Sequence, residues 1–321
     1  MKKKILLISG DPISINSEII YKSWKKLSPS LKKQIYLIGN IKLLKVQFKK
    51  LKYPIKIIKV KSINDKTKEN HLKIINIDIN FKKPFDISQK NRSKLILKSL
   101  NLAHHLAKKK EVLGIINCAI DKKLIGKKNL GVTEYLASKC KVKNHREVML
   151  IRNKKLSVIP ITTHIDVKQI SRKISLTKII NKVKTAEFWF KYHFNRKPKI
   201  GILGLNPHNA ELRKGSEENK IIIPAIKKLK ILKIKIKGPL VADTLFINDY
   251  KNFDIIIGMY HDQILTPFKA IFKFNAINVT LGLKYLRASP DHGTASNLIG
   301  KKKAKAESLL ECINFINKFG K

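Results

Sequence analysis

Over its first 120 residues the chain alternates short apolar runs with longer stretches of helical period, and that alternation leaves few folds open. Strands are predicted over 4–9, 34–38, 55–60, 72–77 and 113–117, with helices near 17–27 and 88–108. Strand and helix in turn predict an α/β sandwich. Farther along, 148–165 reads as a hairpin turned by Asn153-Lys-Lys155, followed by a helix over 176–194. A strand at 200–205, a helix near 217–229, strands at 254–258 and 276–281, and a closing helix near 303–318 continue the pattern. No Gly/Ser or Pro linker separates two beads, so the reading is of two interlocking domains with the chain crossing between them more than once.

With 321 residues, such a chain can bury a substantial core without staples. No run approaches the roughly 18 uninterrupted apolar residues of a membrane span, so no membrane role is expected. Met1-Lys-Lys-Lys imitates a signal peptide's basic start, but Gly10-Asp-Pro12 ends the apolar run early, and it reads as a first strand. Cys118, Cys140 and Cys312 form no CxxC pair, which predicts a reducing, cytoplasmic setting. The net charge of +47 makes nucleic acid the first partner to weigh. Arginine, though, accounts for only seven of the 69 basic residues; the 62 lysines are spread along the chain without zinc-finger spacings, stacking aromatics or repeats. That pattern reads as a lysine-decorated solvated surface, with no nucleic-acid partner expected.

Three of the nine histidines stand at strand ends beside turns: His164, His208 and His261. Ligands of α/β proteins gather at the carboxyl ends of strands, and three imidazoles there can hold a divalent metal with positions open for substrate. Spacing alone equally allows three unrelated, hydrogen-bonded histidines. His71, His104, His105, His145 and His193 read as surface residues. Between 254 and 300 the chain is dense in polar residues that resist a packing role: Lys269, Asn278, Arg287 and Ser289-Pro-Asp-His-Gly-Thr-Ala295. A lysine, an asparagine and an arginine around strand-to-loop transitions can grip a phosphate. Asp243 follows a turn and reads either as an acid/base or as a cap.

The motifs Gly10-Asp-Pro12, Thr133-Glu-Tyr-Leu-Ala137, Thr162-Thr-His164, Gly204-Leu-Asn-Pro-His208, Gly238-Pro-Leu-Val-Ala-Asp-Thr244, Met259-Tyr-His-Asp-Gln263, Asn278-Val-Thr-Leu-Gly-Leu283 and Asp291-His-Gly-Thr-Ala295 run through nearly the whole chain. In order and spacing they resemble the 4-hydroxythreonine-4-phosphate dehydrogenases of vitamin B6 biosynthesis. The resemblance implies an α/β/α sandwich of the isocitrate and isopropylmalate dehydrogenase type, two interlocked domains with the active site in the cleft. The expected division is 1–130 plus 296–321 for the first domain and 131–295 for the second, which would carry most metal and substrate residues and the dimer interface.

The resemblance further implies a homodimer with a shared active site and one divalent metal, Zn, Mg or Co, on His164, His208 and His261, with His261 coming from the neighbouring subunit. Thr133, Lys269, Asn278 and Arg287 would bind a small phosphorylated substrate, and Asp243 and Lys269 would be catalytic. NAD or NADP would lie along Asn206, Glu211, Asp291, Thr294 and Asn297; the chain has no GxGxxG fingerprint. The implied reaction oxidises C3 of 4-hydroxy-L-threonine 4-phosphate and then decarboxylates the product to 3-amino-2-oxopropyl phosphate. Where the family has a histidine before Thr133 this chain has Val132, a departure that favours D-threonate or D-erythronate 4-phosphate as an alternative substrate. The first loop continues Ile13-Ser-Ile-Asn-Ser17 in place of a glycine-rich run, the strand-end segment reads Asn117-Cys-Ala-Ile-Asp-Lys122, and the loop after His208 reads Asn209-Ala-Glu-Leu-Arg-Lys-Gly215, short of the usual glycines.

Overall fold

A computed structural model describes residues 3–65, 67, 70–126 and 131–320. Among them are twelve strands: β1 (Lys4–Ile8), β2 (Ile35–Gly39), β3 (Ile57–Val60), β4 (Leu72–Asn76), β5 (Val112–Asn117), β6 (Val148–Arg152), β7 (Ser157–Pro160), β8 (Ile200–Leu203), β9 (Ile236–Leu240), β10 (Ile255–Gly258), β11 (Ile277–Leu281) and β12 (Leu286–Pro290). The chain divides into two compact units, 1–140 with 283–321, and 141–282.

In the first unit the strand order is β3-β4-β2-β1-β5-β12, every pair parallel. Parallel sheets are covered on both faces, and the sequences obey that rule: Ile35-Tyr-Leu-Ile-Gly39 and Val112-Leu-Gly-Ile-Ile-Asn117 are buried at every position. Helices Asn16–Lys26, Ile41–Lys50, Gln89–Leu106 and Glu307–Phe319 supply the cover. Ser88 caps the third of these, its side chain accepting from the Asn91 N–H. The core seats Leu6, Ile8, Ile38, Ile96, Leu100 and Ile115 together, and each such side chain contributes about 1.5–3 kcal/mol by leaving water.

Gly10, at φ +73, ends β1; a Cβ there would run into the Asn16 amide and the Ala119 carbonyl. It begins a tightly held loop: buried Asp11 takes both ends of the Arg92 fork, from Nε at 3.0 Å and Nη2 at 2.6 Å.

In the second unit the order is β11-β6-β7-β10-β8-β9. The predicted hairpin is present, with β6 and β7 antiparallel in the register Ile151↔Val158, and the Asn153 N–H donating to the Leu156 carbonyl across the turn. β7, β10, β8 and β9 run parallel, while β11 pairs antiparallel with β6. Helix 176–194 begins on a Ser175 cap and stops at Asn195 in the left-handed conformation. Phe268, Ile256, Ile264 and Val158 anchor this unit's core.

Several features differ from expectation. Residues 131–140 and 283–295, expected in the second domain, lie in the first unit: β12 pairs with β5, and Tyr135 on helix Val132–Lys139 donates to Asn101 at 2.8 Å. β9 and β12 have no counterpart in the sequence reading. Ile236-Lys-Gly-Pro-Leu240 looks like a turn, yet proline is tolerated on the outer strand of a sheet, and Leu286-Arg-Ala-Ser-Pro290 is too polar to announce itself, yet is wholly buried. The helix expected near 217–229 opens instead as a π turn over Glu218–Ile222 before becoming regular at Ile223. His104, expected at the surface, is buried, its Nδ1 2.9 Å from the Tyr285 hydroxyl.

Candidate active site

In the second unit the ends of β7, β8 and β10 are tied together by hydrogen bonds. The N–H groups of Ile161 and Thr162 donate to the carbonyls of Gly258 and Met259, and the Thr162 hydroxyl donates to the latter at 2.7 Å. Gln263 accepts from the Met259 N–H at 2.6 Å and donates to the Gly204 carbonyl at 2.7 Å. These ties bring His164, after β7, beside His261, the first residue of helix His261–Phe272, with ring centroids 5.6 Å apart. The two rings stand side by side within one chain. Asp262 Oδ1 lies 2.6 Å from His261 Nδ1, within hydrogen-bond reach of the ring.

His208 lies on a different device. From His208 to Leu212 five consecutive non-glycine residues hold φ between 46 and 56°, a left-handed run that costs roughly 1–2 kcal/mol per residue. His208 and Glu211 are exposed, and Asn209 and Ala210 are buried. Among the described residues no group of three or more His, Cys, Asp or Glu side chains lies close enough to hold a metal, so His208 does not join the His164–His261 pair in a three-ligand set within one chain. Asn206, expected at the cofactor, spends its side-chain amide on Glu217 and Glu218, both at 2.9 Å.

Asp243 is exposed on the short helix Ala242–Leu245. Lys269 is half-buried on helix His261–Phe272, its ammonium 5.6 Å from the centre of the Phe274 ring. Asn278, on β11, has a buried side-chain oxygen without a hydrogen-bond partner.

In the first unit Arg287 on β12 is 3% exposed. Its Nε donates to Asn117 Oδ1 at 2.8 Å and its Nη1 to Thr133 Oγ1 at 3.4 Å, so two expected substrate residues meet. Burial pushes the guanidinium down to about 10, against the opposing field of Cys312, Glu134 and Tyr285; at neutral pH it stays charged. Glu134 Oε2 is buried there without a hydrogen-bond partner. Arg287 is thus a buried cation oriented by Asn117 and Thr133. Asp291 receives its position from a backbone N–H bond to Ser308 at 3.0 Å, the Thr294 carbonyl accepts from Ile15 N–H at 3.1 Å, and Asn297 is exposed on a 3-10 turn.

The sequence reading gave no role of their own to Asn117, Glu134, Glu217, Glu218 or Gln263, although Glu134 and Gln263 fall inside its motifs and Glu217-Glu218 is a visible pair of acids in a chain with 22 in all.

The sequence profile of the family described as pyridoxal phosphate biosynthetic protein PdxA matches residues 31–316. The chain belongs to the PdxA family. It is 39% identical over 97% of its length to a 4-hydroxythreonine-4-phosphate dehydrogenase of Sulfurihydrogenibium sp., of which it covers 96%. A relative from Oceanobacillus iheyensis, 32% identical over 98% of this chain and 97% of its own, bears a provisional name as a D-threonate 4-phosphate dehydrogenase. Among solved structures, the 4-hydroxythreonine-4-phosphate dehydrogenase of Klebsiella pneumoniae superposes with a TM-score of 0.84 at 26% identity, covering 98% of this chain and 100% of that one. An isocitrate dehydrogenase from Methylococcus capsulatus shares the fold alone, with a TM-score of 0.50 and 11% identity over 98% of this chain and 82% of that one. The fold is therefore the α/β type that the sequence implied.

Proposed function

We propose that this PdxA-family chain is a cytoplasmic oxidoreductase that oxidises C3 of 4-hydroxy-L-threonine 4-phosphate and releases 3-amino-2-oxopropyl phosphate after decarboxylation, a step towards pyridoxal phosphate. The observation that carries the reading is the His164–His261 pair, oriented by Asp262, in a chain of this family.

The donor set fits a divalent metal that takes imidazole nitrogen, Zn or Co more readily than Mg: two adjacent imidazoles, one with its distal nitrogen beside a carboxylate, match metal-ligating histidine practice. The ligands we propose are His164, His208 and His261, completed across a homodimer with a shared site. The second unit exposes Phe188, Tyr192, Ile247 and Phe274, apolar side chains that a second copy would cover. When bound, the metal supplies Lewis acidity at the C3 oxygen and NAD or NADP supplies the hydride acceptor.

The chain's own residues do the rest. Arg287 and Thr133 seat the substrate phosphate; Asn278 offers its unpartnered oxygen to a substrate hydroxyl or ammonium, and Lys269 adds positive charge. Asp243, exposed and carboxylate-bearing, takes the C3 hydroxyl proton. For the nicotinamide dinucleotide we propose Glu211, Asp291, Thr294, Asn297 and the backbone at Asn206.

The test is NADH or NADPH formation by metal-supplemented protein given 4-hydroxy-L-threonine 4-phosphate, with D-threonate and D-erythronate 4-phosphates in parallel. Turnover of the first, lost in His208→Ala, is the expected result. Turnover of only another phosphate moves the substrate assignment towards the alternative that Val132 favours, and a fully active His208→Ala removes the metal assignment.

A further inference from the structure

Loop 205–212 puts His208 on a left-handed backbone that no glycine eases, so something else must hold it. The structure shows where the hold comes from. Glu218, fully buried at the start of the π turn, accepts the N–H groups of Leu205 and Asn206, both at 2.8 Å on Oε1, and the Asn206 side-chain amide at 2.9 Å on Oε2. The carboxylate thus receives three donors around one point, the entry to the loop. Its next neighbour, Asn219, grips the exit, donating to the Leu212 carbonyl at 3.1 Å. Glu217 adds a second acceptor for Asn206 and takes the Ser171 hydroxyl at 2.5 Å.

We propose that Glu218 is a positioning residue for His208: its buried carboxylate clamps the entry of the left-handed loop and so fixes where that imidazole stands. The inference rests on the metal role given to His208 above. It accounts for the π turn, which rotates consecutive residues 218 and 219 so that one reaches the loop's entry and the other its exit, and π turns recur at functional sites. It also reassigns Asn206, whose amide serves the clamp. A buried carboxylate is costly without partners; here the hydrogen bonds outweigh burial and hold Glu218 below the usual carboxylate range, so the clamp is charged at neutral pH.

The experiment uses the full chain as Glu218→Ala, Glu218→Gln, Asn219→Ala and His208→Ala, with two readouts at 25 °C: Co2+ affinity by titration calorimetry, and amide hydrogen exchange of peptides covering Leu205 and Asn206. Expected for Glu218→Ala are a drop in Co2+ affinity of about 10–100-fold, the range for groups that orient metal ligands, and faster exchange at 205–206. Gln keeps an acceptor for the two backbone donors, so Glu218→Gln recovers most of both. A loss of general stability alone would lower the unfolding temperature without selecting these amides. Wild-type affinity and exchange in Glu218→Ala, beside a crippled His208→Ala, overturn the positioning role and leave the metal reading standing. Unchanged Co2+ binding in His208→Ala overturns the metal reading, and the positioning role for catalysis with it.

Discussion

Lys73 shows what a buried charge does at the scale of one residue. It sits in β4 opposite Tyr36 of β2, 4% exposed, its ammonium 4.1 Å from the Tyr36 ring centre and donating to the Lys33 carbonyl at 2.5 Å. Burial first, and Lys4 second, push it from 10.5 down to about 8. Between those pH values the unfolded chain holds more protons than the folded one, so Lys73's penalty is full below pH 8 and fades as pH rises towards 10.5. The penalty is roughly 3 kcal/mol at its upper end, against about 1 kcal/mol recovered from the ring contact. Lys73→Met is therefore expected to raise the urea midpoint at pH 7 and flatten the rise in stability between pH 8 and 10.5; an unchanged slope defeats the argument. The same scale explains what of the site was legible. His164, His208, His261 and Arg287 stood out because they are scarce or turn-bound in a lysine-rich chain, while Thr133 came only through the family resemblance. Asn117 and Glu218 did not, because each matters only through a partner 170 or 13 residues away, Arg287 Nε in one case and the Leu205 N–H in the other.

At the scale of elements, single capping residues join secondary structure to sheet. Asn40 caps helix Ile41–Lys50 by accepting from the Leu43 N–H at 2.8 Å and ties it to the end of β4 by donating to the Ile77 carbonyl at 2.9 Å. Asn40→Ala removes both bonds and leaves a part-buried carbonyl and a buried N–H unpaired, for an expected loss of about 1–2 kcal/mol in urea unfolding; a change below about 0.5 kcal/mol would show that solvent replaces the cap. Elements built on apolar runs were read within a few residues: 4–9 became Lys4–Ile8, and helix 176–194 became Leu176–Phe194. Failures fell where tertiary packing overrides local pattern. β12 is a strand because β5 pairs with it, and β9 because proline tolerates an edge. Helix His261–Phe272 carries Pro267 inside it, and helix Ile41–Lys50 hides its amphipathic face among lysines. The π turn at 218–222 has no sequence period of its own; its residues Glu218 and Asn219 both reach the loop 205–212.

For the whole molecule the governing number is the charge of +47 at pH 7. Two effects of salt oppose each other. Screening weakens attractive pairs such as Arg92–Asp11 and Arg196–Asp254, 2.6 and 2.7 Å apart. Screening also relieves repulsion among lysines that outnumber their counter-charges threefold. The first effect is small, since Asp11 is buried and little screened, and the exposed Arg196 pair is worth about 0–1 kcal/mol at most. The second is long-ranged: the Debye length falls from about 30 Å at 0.01 M to about 8 Å at 0.15 M, which disconnects lysines on different faces of the protein. Repulsion should dominate, so raising NaCl across that range is expected to lift the calorimetric Tm by several degrees, at about 2–4 °C per kcal/mol for chains of this order. The predicted rise needs no specific anion, so chloride and acetate at equal ionic strength should act alike. A Tm that falls with salt would mean that the ion pairs carry more of the stability than their exposure allows. A rise with phosphate far above that with chloride would instead point to occupancy of the Arg287 seat, and Arg287→Lys would then remove the excess while leaving the chloride response intact.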